Sequence, residues 1–247
     1  MQITDQALVI KVTDIGENDR LITLLTRDYG VIKAFASGAK KLKNKYHAGS
    51  SFLCYSSFII EEVKDTYRVR DASLLKCYYK TGNDITEIAL LQYFCELAAV
   101  LIPSGTESRE ALKLLLKSII TVNEKRMAQP LIKSVFELRL MSLLGFMPDL
   151  VACNSCGNFT ENTMCLDILG GVLYCKDCAE PEKTVPLSST LLAALRHIVF
   201  SEFEKLFSFS IPENHFERLS YLTEKYLLSC AEHNFKTLEF YKSFKEF

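Results

Sequence analysis

The sequence lacks the short motifs that mark the common catalytic sites. It has no glycine-rich phosphate loop, no nucleophile-elbow serine and no His-x-Glu deaminase motif. None of its four histidines is spaced as a metal-ligand pair; they are His47, His197, His215 and His233. These absences predict a protein that catalyses no chemistry of its own.

The sequence also lacks a membrane span and a secretory signal. Its longest apolar stretch, residues 85–102, is interrupted by Glu87, Gln92 and Glu96 and is too polar to cross a bilayer. Residues 1–5 have neither a basic start nor an apolar core of the kind that signal peptides use. We therefore expect a cytoplasmic protein, and its 49% hydrophobic content is enough to bury a core.

Four of the nine cysteines form two Cys-x-x-Cys pairs that are typical of a zinc ribbon. The pairs are separated by eighteen residues and comprise Cys153, Cys156, Cys175 and Cys178. A reducing compartment favours metal ligation over structural disulfides. Four thiolates complete a tetrahedral shell and leave no position for water, so the pattern predicts one structural zinc ion.

Other interpretations of the cysteines remain open. A thioredoxin-like redox pair, an iron–sulfur cluster and unmetallated thiols are the alternatives for the two Cys-x-x-Cys pairs. The other five cysteines lie among apolar neighbours and are expected to be small buried hydrophobic residues; they are Cys54, Cys77, Cys95, Cys165 and Cys230.

The first eighty residues have the pattern of five short strands separated by turn residues. The predicted strands are residues 7–13, 21–26, 31–37, 52–63 and 67–75. Asp28-Tyr29-Gly30 marks a tight hairpin before the third strand. Five antiparallel strands in so short a segment predict a small closed barrel of the OB-fold type.

From Asp84 onward the apolar residues recur at helical spacing. Asp84 and Glu87 form a capping-box pattern that predicts a helix start. Further helices are predicted around residues 111–122, 131–144, 189–200, 212–230 and 235–247. The expected fold is therefore α+β with two domains: an OB-fold barrel over residues 1–80, and an all-helical domain over residues 81–247 with a zinc segment inserted at about 150–180.

Positive charge is concentrated in the predicted barrel. Residues 1–80 carry 13 Lys and Arg against 9 Asp and Glu, whereas residues 81–180 carry 8 against 12. A flexible loop after the third strand holds four lysines, and two arginines share a face of the last strand. These cations suit phosphate contact: Lys40, Lys41, Lys43, Lys45, Arg68 and Arg70. The aromatic candidates for stacking on bases are Tyr46, Phe52, Tyr55 and Tyr67.

The order of several segments resembles the bacterial RecO proteins of DNA repair and recombination. The segments are Gly16-Glu17-Asn18-Asp19-Arg20, Leu24-Leu25-Thr26-Arg27-Asp28-Tyr29-Gly30, Gly38-Ala39-Lys40-Lys41, Phe136-Glu137-Leu138-Arg139-Leu140 and Leu144-Gly145-Phe146-Met147-Pro148, followed by the two cysteine pairs. Arg20 and Arg27 lie in these segments and complete the set of predicted DNA-contacting residues. Ser37 stands where this family usually has Lys or Arg, which removes one positive charge.

The resemblance implies a recombination mediator in the cytoplasm, associated with the nucleoid. It implies binding to single- and double-stranded DNA, annealing of complementary strands, and loading of RecA, together with RecR, on strands coated by single-stranded DNA-binding protein. It also implies that the C-terminal tail of the latter docks on the helical domain. Lys133, Phe136 and Arg139 are the candidates for that groove; alternatively, Lys133 and Arg139 are surface charges, with Lys133 paired to Glu137.

Two function classes other than a mediator remain open. A zinc-ribbon adaptor that scaffolds protein assemblies is compatible with the small excess of positive charge, and oligonucleotide titration discriminates it from a DNA-binding protein. A metal-dependent enzyme requires an open coordination position, which four cysteine ligands do not leave.

Overall fold

The N-terminal strands form a closed barrel. The computed structural model describes residues 2–64, 66–159 and 163–244. The barrel order is β1-β2-β3-β5-β4, with β1 (Gln2–Ile15), β2 (Asp19–Thr26), β3 (Val31–Ala36), β4 (Cys54–Val63) and β5 (Thr66–Cys77). Only the β3–β5 pairing is parallel among the described barrel strands. The predicted five-stranded OB-like barrel is confirmed.

The barrel has a continuous apolar core, and β3 and β4 alternate buried and more exposed residues around it. Ile22 and Leu24 of β2 and Ile32 and Ala34 of β3 point into a core that Phe58 of β4 also fills. A side-chain period of two therefore sends the intervening residues outward. The outer surface of β1, β2, β3 and β5 is where a binding face can form.

Three helices pack with the barrel in one compact unit, within residues 1–123 and 235–247. They are α1 (Ile85–Leu101), α2 (Arg109–Glu124) and α6 (Lys236–Ser243). The α1 helix contacts β1, β2 and α6, and the ring of Tyr93 meets that of Phe235 edge-on at 6.2 Å. Residues 245–247, the predicted end of the last helix, lie outside the described residues.

Among its described residues, the second compact unit, residues 124–234, contains three α-helices and a small sheet, with short 3-10 turns at Phe203–Lys205 and Glu213–His215. The helices are α3 (Gln129–Leu143), α4 (Ser189–Phe200) and α5 (Phe216–Ala231), and α3 packs against both others. The sheet order is β6-β8-β7-β9, with β6 (Asp149–Cys153), β7 (Met164–Asp167), β8 (Val172–Cys175) and β9 (Val185–Leu187). The two compact units meet at residues 123/124 and 234/235 of the chain. The predicted boundary at residue 80 marks instead the point where the strands end and the helices begin.

Among the described residues, the structure contains no helix with the length and apolar character needed to cross a bilayer.

Candidate metal centre and nucleic-acid interface

Strand pairing brings the two Cys-x-x-Cys pairs together. The β6 strand ends at Cys153 and the β8 strand ends at Cys175, and the two strands run parallel. Parallel neighbours end at the same edge of a sheet, so the turns that follow them meet there. Each turn then supplies the second cysteine of its pair, Cys156 or Cys178.

The four sulfur atoms have the spacing of a single metal site. All Sγ atoms of Cys153, Cys156, Cys175 and Cys178 lie within 4.8 Å of one another, and Cys156 and Cys175 are 3.7 Å apart. Four sulfurs at the usual zinc distance of about 2.3 Å from a common centre would be separated by about 3.8 Å. The cluster can therefore hold one tetrahedral ion with little rearrangement.

The cluster's electrostatics also suit a cation. Although burial opposes ionisation of Cys153, backbone amides of Cys156, Cys175 and Ser155 donate to its sulfur and lower the pKa of the thiol to about 6. Hydrogen bonds with the side chains of Cys175 and Cys156 raise the pKa of Cys178 to about 12. Several thiolates this close repel one another, so a bound cation is what allows all four to ionise together.

An arginine of α4 holds the strand that leads into the four-cysteine cluster. Arg196 Nε donates to the carbonyl of Leu150 at 2.7 Å, and Arg196 Nη2 donates to the carbonyl of Val151 at 2.9 Å. Both carbonyls belong to β6, the strand that ends at Cys153. These hydrogen bonds fix the position of Cys153 relative to α4.

Five of the eight predicted DNA-contacting cations lie beside carboxylates. Arg20 and Lys40 both approach Asp14, at 3.5 and 3.2 Å, and the hydrogen bond from Lys40 lowers the pKa of the Asp14 carboxyl. The other pairs are Arg27 with Asp28, Lys45 with Asp71, and Arg70 with Glu61. Arg20 is largely buried, with 18% of its side chain exposed. The other pairs are partly or fully exposed and contribute little to stability, so a phosphate can replace their carboxylates at small cost.

The remaining three predicted cations have no carboxylate partner among the described residues. Lys41, Lys43 and Arg68 are all exposed. Lys41 and Lys43 extend from the loop between β3 and β4, whereas Arg68 extends from β5. Loop and strand therefore present free positive charge at different places on the barrel.

Sequence reasoning missed two lysines and a phenylalanine on the barrel surface. Strand pairing places Lys11, Thr23 and Lys33 in one row across β1, β2 and β3. The next row along consists of Leu21, Phe35 and Arg68. We call Lys11, Lys33, Phe35 and Arg68 the basic face. The lysines are exposed and have no carboxylate partner among the described residues, and Phe35 is partly exposed.

The signal for the basic face was present in the sequence as alternation within a strand. Lys33 and Phe35 are two residues apart in β3, between the core residues Ile32, Ala34 and Ala36. A search for lysines that are clustered along the chain overlooks them. Their grouping with Lys11 and Arg68 depends on pairing between distant strands.

The predicted stacking aromatics are less available than expected. Tyr46 belongs to the barrel core, and Tyr67 packs against it. Tyr55 donates its hydroxyl to Gln6 Oε1 at 2.8 Å. Phe52 is half-buried and lines a groove beside Lys11 and Lys33. Phe35, which lines a second groove with Arg68, is a better candidate for stacking.

The three residues predicted for a partner groove lie on α3, and two of them are in the interior. Phe136 is fully buried, and Lys133 is 1% exposed. The predicted pairing of Lys133 with Glu137 is confirmed at 2.8 Å, but its expected surface position is wrong. Arg139 donates to the carbonyl of Ile198 at 3.3 Å. A partner would reach Lys133 and Phe136 only after α3 separated from its neighbours.

Both parts of the chain match families of recombination proteins. Residues 1–78 match the family described as Recombination protein O N terminal, and residues 82–239 match Recombination protein O C terminal. The chain is 30% identical to the DNA repair protein RecO of Acetivibrio thermocellus, over 96% of this chain and 94% of that protein. The DNA repair protein RecO of Caldanaerobacter subterraneus is 28% identical, over 95% of each chain.

Proposed function

The chain belongs to the RecO family of DNA repair proteins, and from this premise we propose that it is a recombination mediator that binds DNA through its barrel. The observation that carries the proposal is the basic face. Lys11, Lys33 and Arg68 lie there on three strands, have no carboxylate partner among the described residues and share the face with the partly exposed ring of Phe35. Cations bind phosphates and release counterions, while an aromatic ring stacks on bases, so the combination fits single-stranded DNA.

The spacing of the cations across the barrel strands suits an extended single strand of DNA. Lys11 and Lys33 are separated by two strand spacings, or about 10 Å between backbones. Arg68 lies one strand beyond Phe35 in the adjacent row. Such a path neutralises phosphates on either side of a stacked base. The paired cations, such as Lys40 and Arg27, would then extend the contact when phosphates displace their carboxylates.

The wider activities follow from this role together with family membership. We propose that residues 1–80 bind single- and double-stranded DNA and that residues 81–247 recruit RecR and the C-terminal tail of single-stranded DNA-binding protein. Neutralising phosphates on two strands at once lowers their repulsion and favours annealing. With RecR, the protein would help load RecA at the nucleoid in the cytoplasm, without catalysing chemistry itself.

We propose that the four-cysteine site holds one structural zinc ion. Sulfur ligands in tetrahedral arrangement are the chemistry that zinc prefers. The ion would cross-link the two turns that carry the Cys-x-x-Cys pairs. The four cysteines would fill its coordination shell. Zinc content measured by mass spectrometry in protein purified without added metal should approach one ion per chain. Iron in place of zinc would contradict the assignment.

The proposed function predicts that DNA affinity depends on the basic face. Each neutralised phosphate contributes about 0.7 to the log–log slope of single-strand affinity against salt. Replacing Lys11, Lys33 and Arg68 by Gln should therefore lower that slope by about 2. Fluorescence anisotropy with a labelled single-stranded oligonucleotide, titrated at several salt concentrations, measures it.

A matched control variant distinguishes the effect of the basic face on the salt slope from the effect of net charge. The triple replacement Lys113→Gln, Lys183→Gln and Lys205→Gln removes equal charge from exposed residues on other elements. It should leave the slope unchanged. Replacing Lys40, Lys41, Lys43 and Lys45 instead tests the loop. An equal response to the face and control variants would contradict a defined DNA path.

Phe35→Ala tests the stacking contact separately. Loss of one stacked base costs about 1–3 kcal/mol of binding free energy, without changing the salt slope. The loss should be larger for single-stranded than for duplex DNA, because duplex bases are already stacked. If the wild-type protein itself fails to bind any oligonucleotide, the adaptor interpretation gains support.

A further inference from the structure

Two cysteines outside the metal cluster lie side by side at one end of the barrel. Cys54 begins β4 and Cys77 ends β5, and the two residues are direct cross-strand partners. Their Sγ atoms are 3.0 Å apart. Cys54 is buried, as the sequence predicted, but Cys77 is exposed and corrects that prediction. The juxtaposition comes from the pairing of the consecutive strands β4 and β5, which brings together two residues 23 positions apart in the sequence.

The backbone around the pair has the geometry that a cross-strand disulfide needs. The amide of Tyr78 donates to the carbonyl of Leu53 at 2.9 Å. This hydrogen bond joins the residues next to the cysteines, and not the cysteines themselves. Cys54 and Cys77 thus occupy a non-hydrogen-bonded position, where Cα atoms are about 4.5 Å apart. Disulfides span Cα separations of about 4.4–6.8 Å. The bond can therefore form without separating the strands.

The environments of the two thiols give them different roles. Burial, together with the hydrogen bond to Cys77, raises the pKa of Cys54 to about 12. Cys77 is open to solvent, and a dissolved oxidant reaches an exposed sulfur first. Cys77 is thus the sulfur that is oxidised, and Cys54 is the sulfur that resolves the product.

We propose that Cys54 and Cys77 are a peroxide-reactive pair that closes to a reversible disulfide. The Cys77 thiolate attacks one oxygen of hydrogen peroxide, the O–O bond breaks, and Cys77 becomes a sulfenic acid while hydroxide leaves. Cys54 Sγ then forms the S–S bond, and the sulfenic hydroxyl leaves with the Cys54 proton as water. Hydroxide takes up the proton that Cys77 lost. Two thiols and one peroxide thus yield one disulfide and two waters, and a dithiol reverses the change.

The disulfide would join the first residue of β4 to the last residue of β5. A cross-link between these positions restricts the unfolded chain and should raise the Tm of the barrel. None of the residues of the basic face takes part in the bond. The proposal therefore stands or fails independently of DNA binding.

The test treats the metal-loaded full chain with a small excess of hydrogen peroxide, blocks remaining thiols with N-ethylmaleimide and maps peptides without reduction. The expected result is a linked peptide pair carrying Cys54 and Cys77, lighter by two hydrogens, that dithiothreitol separates. Released metal, followed with a colorimetric chelator, should appear only after this link has formed. Oxidation of Cys153 or Cys156 before Cys77 would overturn the proposal.

Two variants distinguish the roles of the sulfurs. Cys77→Ser should abolish the linked peptide, and because the side chain is exposed the variant should fold. Cys54→Ser should leave Cys77 as a sulfenic acid that dimedone traps. Cys230→Ser is the matched control and should link Cys54 to Cys77 at the wild-type rate. A wild-type protein that accumulates dimedone-reactive Cys77 without forming the link would also overturn the proposal.

Discussion

Lys133 of α3 has a buried position that few lysines adopt. Its Nζ lies 2.8 Å from Glu137 Oε1 and 2.9 Å from Glu224 Oε2, and it also donates to Ser220 Oγ at 3.3 Å. Thr223 donates to the other oxygen of Glu137 at 2.7 Å. Each charged group thus has a polar partner within the interface of α3 and α5, with one cation shared by two carboxylates. Burying such a group without partners would cost several kcal/mol.

Lys133→Met should destabilise the second compact unit strongly. Removing the cation leaves Glu137 and Glu224 facing each other in a nearly dry site, which costs about 3–5 kcal/mol of unfolding free energy. Urea unfolding followed by circular dichroism measures the loss. Lys205→Met, which breaks an exposed pair with Glu202, is the control and should change stability by less than about 1 kcal/mol.

A second variant tests whether charge imbalance is the cause. Lys133→Met combined with Glu137→Leu removes one of the stranded carboxylates and should recover part of the loss. No recovery would contradict charge imbalance as the cause of the loss.

Helix caps and turns were predicted correctly from the sequence where a single residue type, such as a capping Asp or a turn Gly, fixes the backbone conformation. The capping box at Asp84 is confirmed: its side chain accepts from the amide of Glu87 at 2.8 Å, and Glu87 accepts from the amide of Asp84 at 3.1 Å. The hairpin turn before β3 is confirmed as well. The amide of Thr26 donates to the carbonyl of Gly30 at 3.0 Å, and Gly30 has φ +66°.

Gly30→Ala should destabilise the β2–β3 hairpin more than Gly16→Ala destabilises the β1–β2 turn. Both glycines have positive φ, which costs alanine about 1–2 kcal/mol. A Cβ on Gly30 would also lie 2.0 Å from the carbonyl oxygen of Pro103, whereas a Cβ on Gly16 meets nothing within 4 Å. The clash should add about 1–3 kcal/mol, measured by urea unfolding. Equal losses for the two variants would contradict this packing.

At the scale of the whole molecule, the metal cluster and the barrel belong to different compact units. All four cysteines of the cluster come from residues 124–234, and the strands of the barrel come from the other unit. Because metal binding to small ribbons is worth about 10–16 kcal/mol in peptides, its loss removes more free energy than a small sheet otherwise has. The effect should be confined to the unit that contains the ligands.

Metal removal should therefore produce a local change. A strong chelator is expected to raise amide hydrogen exchange in β6, β7 and β8 while leaving β1 to β5 protected. Hydrogen exchange followed by mass spectrometry resolves the two regions, and re-addition of zinc should restore protection in the first. Simultaneous exposure of the barrel strands would show that the units unfold together.

The amino-acid sequence by itself predicted the five strands of the barrel, the main helices and the four cysteines that cluster. Runs rich in Val, Ile, Thr and aromatic residues between turn residues predict the barrel strands, and the cap at Asp84 predicts α1, because these features depend on neighbours within a few residues. The spacing of Cys153 with Cys156 and of Cys175 with Cys178 predicts their clustering, since a short turn can aim each pair of sulfurs at one point.

Only the tertiary structure decided which side chains share a surface and which are buried. Lys11, Lys33 and Arg68 lie far apart in sequence and meet because the barrel closes with one register. Pairing within the β4–β5 hairpin brings Cys54 to Cys77, 23 residues along the chain. Lys133 is interior because α5 supplies a second carboxylate, Glu224, that no pattern within α3 can reveal. Burial and pairing depend on contacts between distant segments, whereas propensity, capping and turn spacing are properties of the local chain.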